Sequence, residues 1–187
     1  MTMKPGKKKG SSIVAARKAA KKIRMLVLDV DGVLTDGRII LDNEANEHKA
    51  FHVRDGHGIK MLQKSGLRVA IITGRFSKVV DRRARELGIT EVFQKCLNKK
   101  IAYEKLLTDF GLSDSEIAYV GDDIVDVPIM ARAGLPVAVA DATDETKRTA
   151  ILITEQGGGR GAVREVTDFI LKAQGLWDRL FDEYLTA

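Results

Sequence analysis

The sequence predicts an α/β fold, a doubly wound, mostly parallel sheet of Rossmann-like architecture, and three observations point to it. Short apolar runs of strand length alternate along the chain with amphipathic stretches of helix length. The apolar runs stop at residues able to do chemistry: Asp29 and Asp31 after the first, Thr73, Gly74 and Arg75 after the second, Gly121, Asp122 and Asp123 after the fourth. In open α/β sheets, ligands sit beyond the carboxyl ends of the strands, so this clustering is what the fold demands. Finally, 187 residues suit one domain large enough to bury a full core.

In chain order, Arg24–Asp29 reads as a buried strand because nearly every position is apolar. Arg38–Leu41 and Glu47–Val53 read as two strands of a hairpin around the turn-rich Asp42–Asn46. His57–Ser65 is helical and stops at Gly66. Leu67–Ile72 is a second buried strand, followed by a helix from Ser77 to Leu87 that stops at Gly88. Glu91–Phe93 is a short strand and Lys99–Phe110 a helix ending at Gly111. Ile117–Val120 is a strand, Val125–Ala133 a helix and Pro136–Val139 a strand. Ile151–Ile153 and the helix Ala162–Ala173 close the pattern. Asp109, Asp114 and Glu116 read as a solvated loop and helix end.

The net charge of +5 is unevenly placed. Residues 1–24 carry nine basic residues and no acid, which leaves 22 basic residues against 26 acidic ones in the body, a net of −4. The basicity therefore belongs to a flexible N-terminal arm, residues 1–22, leading into a solvated helix over Ile13–Lys22. Such an arm could hold nucleic acid or anionic lipid by charge alone, but the acidic body gives nucleic acid no support. Residues 23–176 form the core, with the hairpin at 38–53, and 177–187 a C-terminal tail. No apolar run approaches the roughly 18 residues of a membrane span. The N-terminus lacks the apolar core of a secretory signal, so a cytoplasmic location is expected. A single cysteine, Cys96, excludes an internal disulfide and suits a reducing compartment.

The strand-end residues form a chemical kit. An aspartate can attack phosphorus and form an aspartyl-phosphate, dividing a very slow hydrolysis into two easier steps. Its approach to a phosphate dianion requires a divalent cation and positive donors, and a second acid must protonate the leaving alcohol. Asp29, Asp31, Asp122, Thr73 and Lys99 are the residue types this needs. Magnesium suits an all-oxygen site. His48, His52 and His57 do not make a zinc site, because they straddle a strand and a turn without a cysteine pair. The glycines at 157 and 159 are too sparse a pattern to claim a dinucleotide.

Four segments, in this order, resemble the haloacid dehalogenase superfamily over about residues 24–140: Asp29-x-Asp31-Gly-Val, Ile71-Ile72-Thr73-Gly74-Arg75, Lys99, and Gly121-Asp122-Asp123-x-x-Asp126. The resemblance implies that Asp29 is the nucleophile and Asp31 the general acid/base. Thr73, Gly74 and Lys99 would bind the phosphoryl group. Asp29, Asp31 and Asp122 would hold Mg2+, with Asp123 and Asp126 supporting from behind. An acid two positions after the nucleophile favours phosphatases and phosphomutases over dehalogenases and cation pumps. Thr73 follows Asp31 by 42 positions and Lys99 follows Thr73 by 26, which leaves no room for a cap domain.

Within the superfamily, residues 51–60, 70–75, 119–123 and 157–166 look like the uncapped octulosonate 8-phosphate phosphatase family, over roughly residues 22–176. That implies a sugar-acid phosphate as substrate and a role in lipopolysaccharide synthesis. It also implies a homotetramer whose hairpins meet at the centre and whose C-terminal tails reach a neighbour's site. By that match, Asp31, His52, Val53, Arg54, Asp55, Gly56, Lys60, Arg75, Arg83, Lys99 and Arg160 would contact substrate. His52 and Lys60 depart from the family, which often has asparagine and arginine there. Two other readings compete: a phosphatase for a nine-carbon sialic-acid-type 9-phosphate, and a non-catalytic regulatory or nucleic-acid-binding protein using the arm.

Overall fold

The computed structural model describes residues 9–186; residues 1–8 of the expected arm, including Lys4, Lys7 and Lys8, lie outside the described residues. Six strands form one parallel sheet: β1 (Met25–Leu28), β4 (Arg68–Ile72), β5 (Glu91–Phe93), β6 (Ile117–Gly121), β7 (Leu135–Ala138) and β8 (Leu152–Ile153). Their order is β5-β4-β1-β6-β7-β8. The chain builds outward from β1 on one side and then crosses to build outward on the other. The strand order thus reverses beside β1, and β1 and β6 point their carboxyl ends into that crevice. Every residue of β1 and β6 is buried, as a central strand covered on both faces requires.

Helices α1 (Lys9–Ala20), α2 (Val53–Lys64) and α7 (Ala162–Ala173) pack together in one layer. Helices α4 (Lys99–Phe110), α5 (Val127–Met130) and α6 (Asp144–Thr149) form another. Helix α3 (Lys78–Leu87) runs between a Ser77 N-cap, whose side chain accepts from the Val80 N–H, and a left-handed Gly88. The expected strands of the six-stranded sheet, α4 and α7 fall at or within a residue or two of their expected positions.

The differences have physical causes. Helix α2 starts at Val53 rather than His57 and runs through both Gly56 and Gly58. A Cβ on Gly56 would strike the Arg83 guanidinium, and one on Gly58 would strike Thr167 of α7. Close packing selects glycine here and outweighs its helix cost of about 1 kcal/mol. The hairpin is shorter than expected, β2 (Ile40–Leu41) against β3 (Glu47–His48), because it pairs only with itself. Helix α5 covers only the middle of Val125–Ala133, since the Asp122 and Asp123 amides turn inward to the Asp126 carboxylate instead of starting a helix. Helix α1 begins earlier than Ile13 and buries Ala16 and Ala20 against the core, so residues 9–20 are not a solvated arm. Helix α8 (Trp177–Leu185) occupies the expected tail. It buries Leu180, sets Tyr184 beside His57 and pairs Glu183 with Lys64, all within one chain. The short α6 and a 3-10 turn at Asp114–Glu116 have too few apolar residues to announce themselves.

The glycine-rich loop 157–161 buttresses the loop after β1. The Gly159 N–H donates to the Val33 carbonyl at 2.9 Å, and the Gly158 N–H to Asp141 at 2.9 Å. A Cβ on Gly158 would overlap the Gly32 carbonyl. Gly158→Ala is therefore expected to lose about 1–3 kcal/mol, as overpacked cores do. By thermal melting this corresponds to ~2–10 °C for a chain of this size. It should also lower turnover, because the displaced loop carries Asp31. Gly66→Ala, where no atom lies within 4 Å of the added Cβ, should show only the backbone strain of its positive φ and keep turnover.

Candidate active site

Strand β1 ends where Asp29 begins, and the Asp29 N–H still donates to the Val120 carbonyl of β6 at 3.2 Å. This last ladder bond fixes the Asp29 backbone against the end of β6, which Asp122 directly follows. Asp29 is 6% exposed. Its Oδ1 accepts from the Val30 N–H at 2.7 Å, and its Oδ2 lies 2.8 Å from the Lys99 ammonium. Lys99 is the first residue of α4, set there by the Asn98 N-cap, and is buried, whereas Lys100 is exposed. The helical turn separates the two lysines.

Asp126 anchors the arrangement. An ionised carboxylate offers about four acceptor sites, and Asp126 fills four. Its Oδ1 accepts from Lys99 Nζ and from the Tyr119 hydroxyl, each at 2.7 Å. Its Oδ2 accepts from the Asp122 and Asp123 amides at 3.0 and 3.3 Å. Asp29, Asp122 and Asp126 bring oxygens within 4.8 Å of one another. With its lone pairs occupied, Asp126 supports this cluster rather than offering a ligand. The Asp122 carboxylate accepts no hydrogen bond among the described residues and remains available.

The electrostatics indicate a missing positive charge. Burial and the charges of Asp29, Asp126 and Asp123 push the Asp122 carboxyl up to about 8, against the pull of Lys99. Burial and the Asp126 charge raise Asp29 to about 6, with Lys99 opposing. Burial works against the Lys99 charge, but Asp29 and Asp126 outweigh it and hold the ammonium above the ordinary lysine range. One buried cation does not balance these carboxylates. A hard divalent ion with oxygen ligands fits the donor set, which has neither thiolate nor imidazole within it.

Thr73 directly follows β4 and is 3% exposed; its N–H donates to the Phe93 carbonyl at 2.9 Å. Asp29, Asp31, Thr73, Gly74, Arg75, Lys99, Asp122 and Asp123 all line one cavity of about 240 Å³, edged by Cys96, Leu97 and Val125. A larger depression of about 720 Å³ between α1 and α7 carries cations only and no acid–base set. The Asp31 carboxylate does not join the Asp29–Asp122 cluster. It turns to Lys49, with Arg75 Nη1 4.0 Å from its other oxygen.

The remaining expected residues are spread out. Arg75 reaches Glu47 of the hairpin at 3.0 Å. Asp55 is buried at the N-terminus of α7, where it accepts from the Arg164 N–H at 2.8 Å, so its carboxylate caps that helix. His52 precedes α2, and its Nδ1 and the second Asp55 oxygen are buried without a hydrogen-bond partner. Val53 and Arg54 are exposed, Gly56 lies under Arg83, and Arg83 pairs with Glu86. Arg160 is exposed on the glycine-rich loop. Lys60 is not brought to this cavity: it lines a separate depression with Arg68, Thr90 and Glu91, beside the amino ends of β4 and β5. Lys49, Glu47 and Tyr119 belong to the site's surroundings and escape sequence reasoning. A lone lysine beside a strand reads as solvated, and a tyrosine within an apolar run reads as core.

Residues 53–134 match the model of the haloacid dehalogenase-like hydrolases. The 3-deoxy-D-manno-octulosonate 8-phosphate phosphatase of Escherichia coli (strain K12) is 51% identical over 159 residues, 85% of each chain. That of Yersinia pestis is 50% identical over 155 residues, 83% of each. Among solved structures, the Yersinia pestis phosphatase superposes with a TM-score of 0.87 at 48% identity, covering 88% of this chain and 89% of its own. The Moraxella catarrhalis phosphatase, in complex with a magnesium ion, a phosphate ion and a KDO molecule, gives 0.89 at 43% identity and covers 90% and 97%. Of the described residues, no helix is long and apolar enough to cross a membrane.

The raised carboxyls predict how stability responds to pH. Asp29 and Asp122 keep protons in the folded chain at pH values where the unfolded chain has released them. Their contribution is fully present below the ordinary aspartate range and is lost as pH rises through about 6 and then about 8. In EDTA, the melting temperature should fall between pH 5 and pH 8, and magnesium should raise it most at the alkaline end. Asp122→Asn should remove much of the fall. A melting temperature that rises over this window in EDTA would contradict the uncompensated cluster.

Proposed function

The chain belongs to the 3-deoxy-D-manno-octulosonate 8-phosphate phosphatase family of the haloacid dehalogenase-like hydrolases, and we propose that it frees this sugar acid from its phosphate through Asp29. It is a magnesium-dependent phosphoric monoester hydrolase. The observation that carries the proposed mechanism is Lys99, whose ammonium bridges Asp29 at 2.8 Å and Asp126 at 2.7 Å. That bridge fixes one oxygen of a buried carboxylate at the carboxyl end of β1, inside the cavity that Thr73 and Asp122 share.

In the first step, an Asp29 oxygen attacks phosphorus, the bond to the sugar's ester oxygen breaks, and Asp31 gives that oxygen a proton. In the second, a water oxygen attacks phosphorus, its proton passes to Asp31, and the bond to Asp29 breaks. Lys99 and the Thr73 and Gly74 group hold the phosphoryl oxygens. Asp29 and Asp122 would hold Mg2+, with Asp31 contributing from its main chain, since its carboxylate faces Lys49. When bound, the ion offsets charge between the carboxylates and the phosphoryl group. Asp126 and Asp123 support from behind, Asp126 by holding Lys99.

Arg75 and Arg160 suit the sugar acid's anionic and hydroxyl groups, as guanidinium forks do. His52 to Gly56, Lys60 and Arg83 lie away from the phosphoryl cavity, so any part they take is as a surface completed by a neighbouring subunit. We propose a homotetramer on that ground. The hairpin also exposes Ile39, Ile40 and Leu41, and the cavity edge exposes Leu97 and Val125. A cytoplasmic location follows from the substrate class and the lone cysteine. The complete set of acid, base and cation argues against a non-catalytic scaffold.

Initial rates with magnesium on the eight-carbon ester and on a nine-carbon 9-phosphate test the substrate. A preference of at least ~10-fold in kcat/KM for the former is expected, about 1.4 kcal/mol in transition-state binding. Equal or reversed rates would overturn it. Asp29→Asn should lose at least about 10⁴-fold in kcat while melting normally. Asp122→Ala should sharply raise the magnesium concentration giving half-maximal rate; an unchanged titration would move the ligand elsewhere.

A further inference from the structure

Lys49 stands between the hairpin and α2, and its side chain is 1% exposed. A lysine so buried must have partners. Its ammonium is in contact with Asp31 Oδ1 and lies 3.4 Å from Glu47 Oε1. Glu47 in turn accepts from Arg75 Nη2 at 3.0 Å, and Arg75 Nη1 stands 4.0 Å from Asp31 Oδ2. Two acids and two bases thus close a ring of alternating charge, with two members from the hairpin side and one from each of the loops after β1 and β4. The ring ties the hairpin to the loops after β1 and β4 at once.

We propose that Lys49 is a positioning residue for Asp31. The ammonium has donors only, so it engages an oxygen that carries no proton. With Oδ1 held in that way, the transferable proton belongs on Oδ2, which makes no hydrogen bond among the described residues. Lys49 therefore sets both the rotamer of Asp31 and which of its oxygens faces the ester. It does not touch substrate. The hairpin, by supplying Lys49 and Glu47, completes the acid without covering the site.

This inference rests on Asp31 being the general acid, and the test separates the two ideas. The single-turnover release of alcohol reads the first step alone. It would be measured on 3-deoxy-D-manno-octulosonate 8-phosphate, whose alkoxide leaves only with a proton, and on p-nitrophenyl phosphate, whose phenolate leaves without one. Lys49→Met should slow release from the sugar ester about 100-fold, the size of a general-acid contribution, and from the aryl ester less than ~3-fold. Lys49→Arg, which keeps the charge, should recover part of the sugar-ester rate. Asp31→Asn should show the same split more strongly. If Asp31→Asn splits the esters and Lys49→Met slows both equally or neither, Lys49 is merely structural and the proposal is overturned. If Asp31→Asn itself shows no split, the acid assignment fails first. Should Lys49→Met not fold, the ratio of the two esters in Lys49→Arg and Lys49→Gln decides: a wild-type ratio in Lys49→Gln overturns the role.

Discussion

Everything in this molecule's chemistry depends on one buried lysine between two buried carboxylates. Lys99 meets Asp29 and Asp126 at hydrogen-bond distance, and none of the three has appreciable access to water. Burying ions is costly unless geometry and additional hydrogen bonds compensate. The compensation is visible at Asp126, which takes four donors, two of them amides of the loop after β6. The fixed Asp126 in turn fixes Lys99, and Lys99 fixes one oxygen of Asp29. What it leaves over is negative charge at Asp29 and Asp122, and that residue of charge is what makes the pocket a receptor for a divalent ion.

The sheet supplies the geometry for this. Reversal of strand order beside β1 places two fully buried strands side by side with their carboxyl ends open, so residues 93 positions apart in sequence become neighbours. Glycine makes the approach close enough. A Cβ on Gly32 would strike Asp122, and one on Gly121 would meet Asp126 at 2.5 Å. The loops after β1 and β6 consequently pack carboxylate against backbone, and the loop at 157–161 presses on the first of them from outside. Stability and catalysis share these contacts.

Much of this was legible in the sequence. Strand β1 is apolar at every position and stops at Asp29, so both its burial and its chemistry announce themselves; the N-cap Asn98 and C-cap Gly111 mark α4, and with it Lys99. What was not legible has a common cause in long-range packing. The start of α2 was hidden because Gly56 gives no helix signal until Arg83 is seen packed against it. Asp55 matches a substrate-contact segment, yet the structure uses it to cap α7, more than a hundred residues away. Lys60 shares the helix but points its contacts toward the far end of the sheet. Lys49 carried no signal at all, because an isolated lysine next to a short exposed strand gains its meaning only when the hairpin folds back on Asp31.

The covalent role of Asp29 is what the other residues are arranged around, and the stereochemical course at phosphorus tests it most directly. A phosphorothioate ester made chiral at phosphorus with sulfur and two oxygen isotopes would be hydrolysed in water carrying the third isotope, and the configuration of the released thiophosphate determined. Two in-line displacements, first by Asp29 and then by water, give net retention. Inversion would mean that water attacks the ester directly, with Asp29 serving only to hold charge.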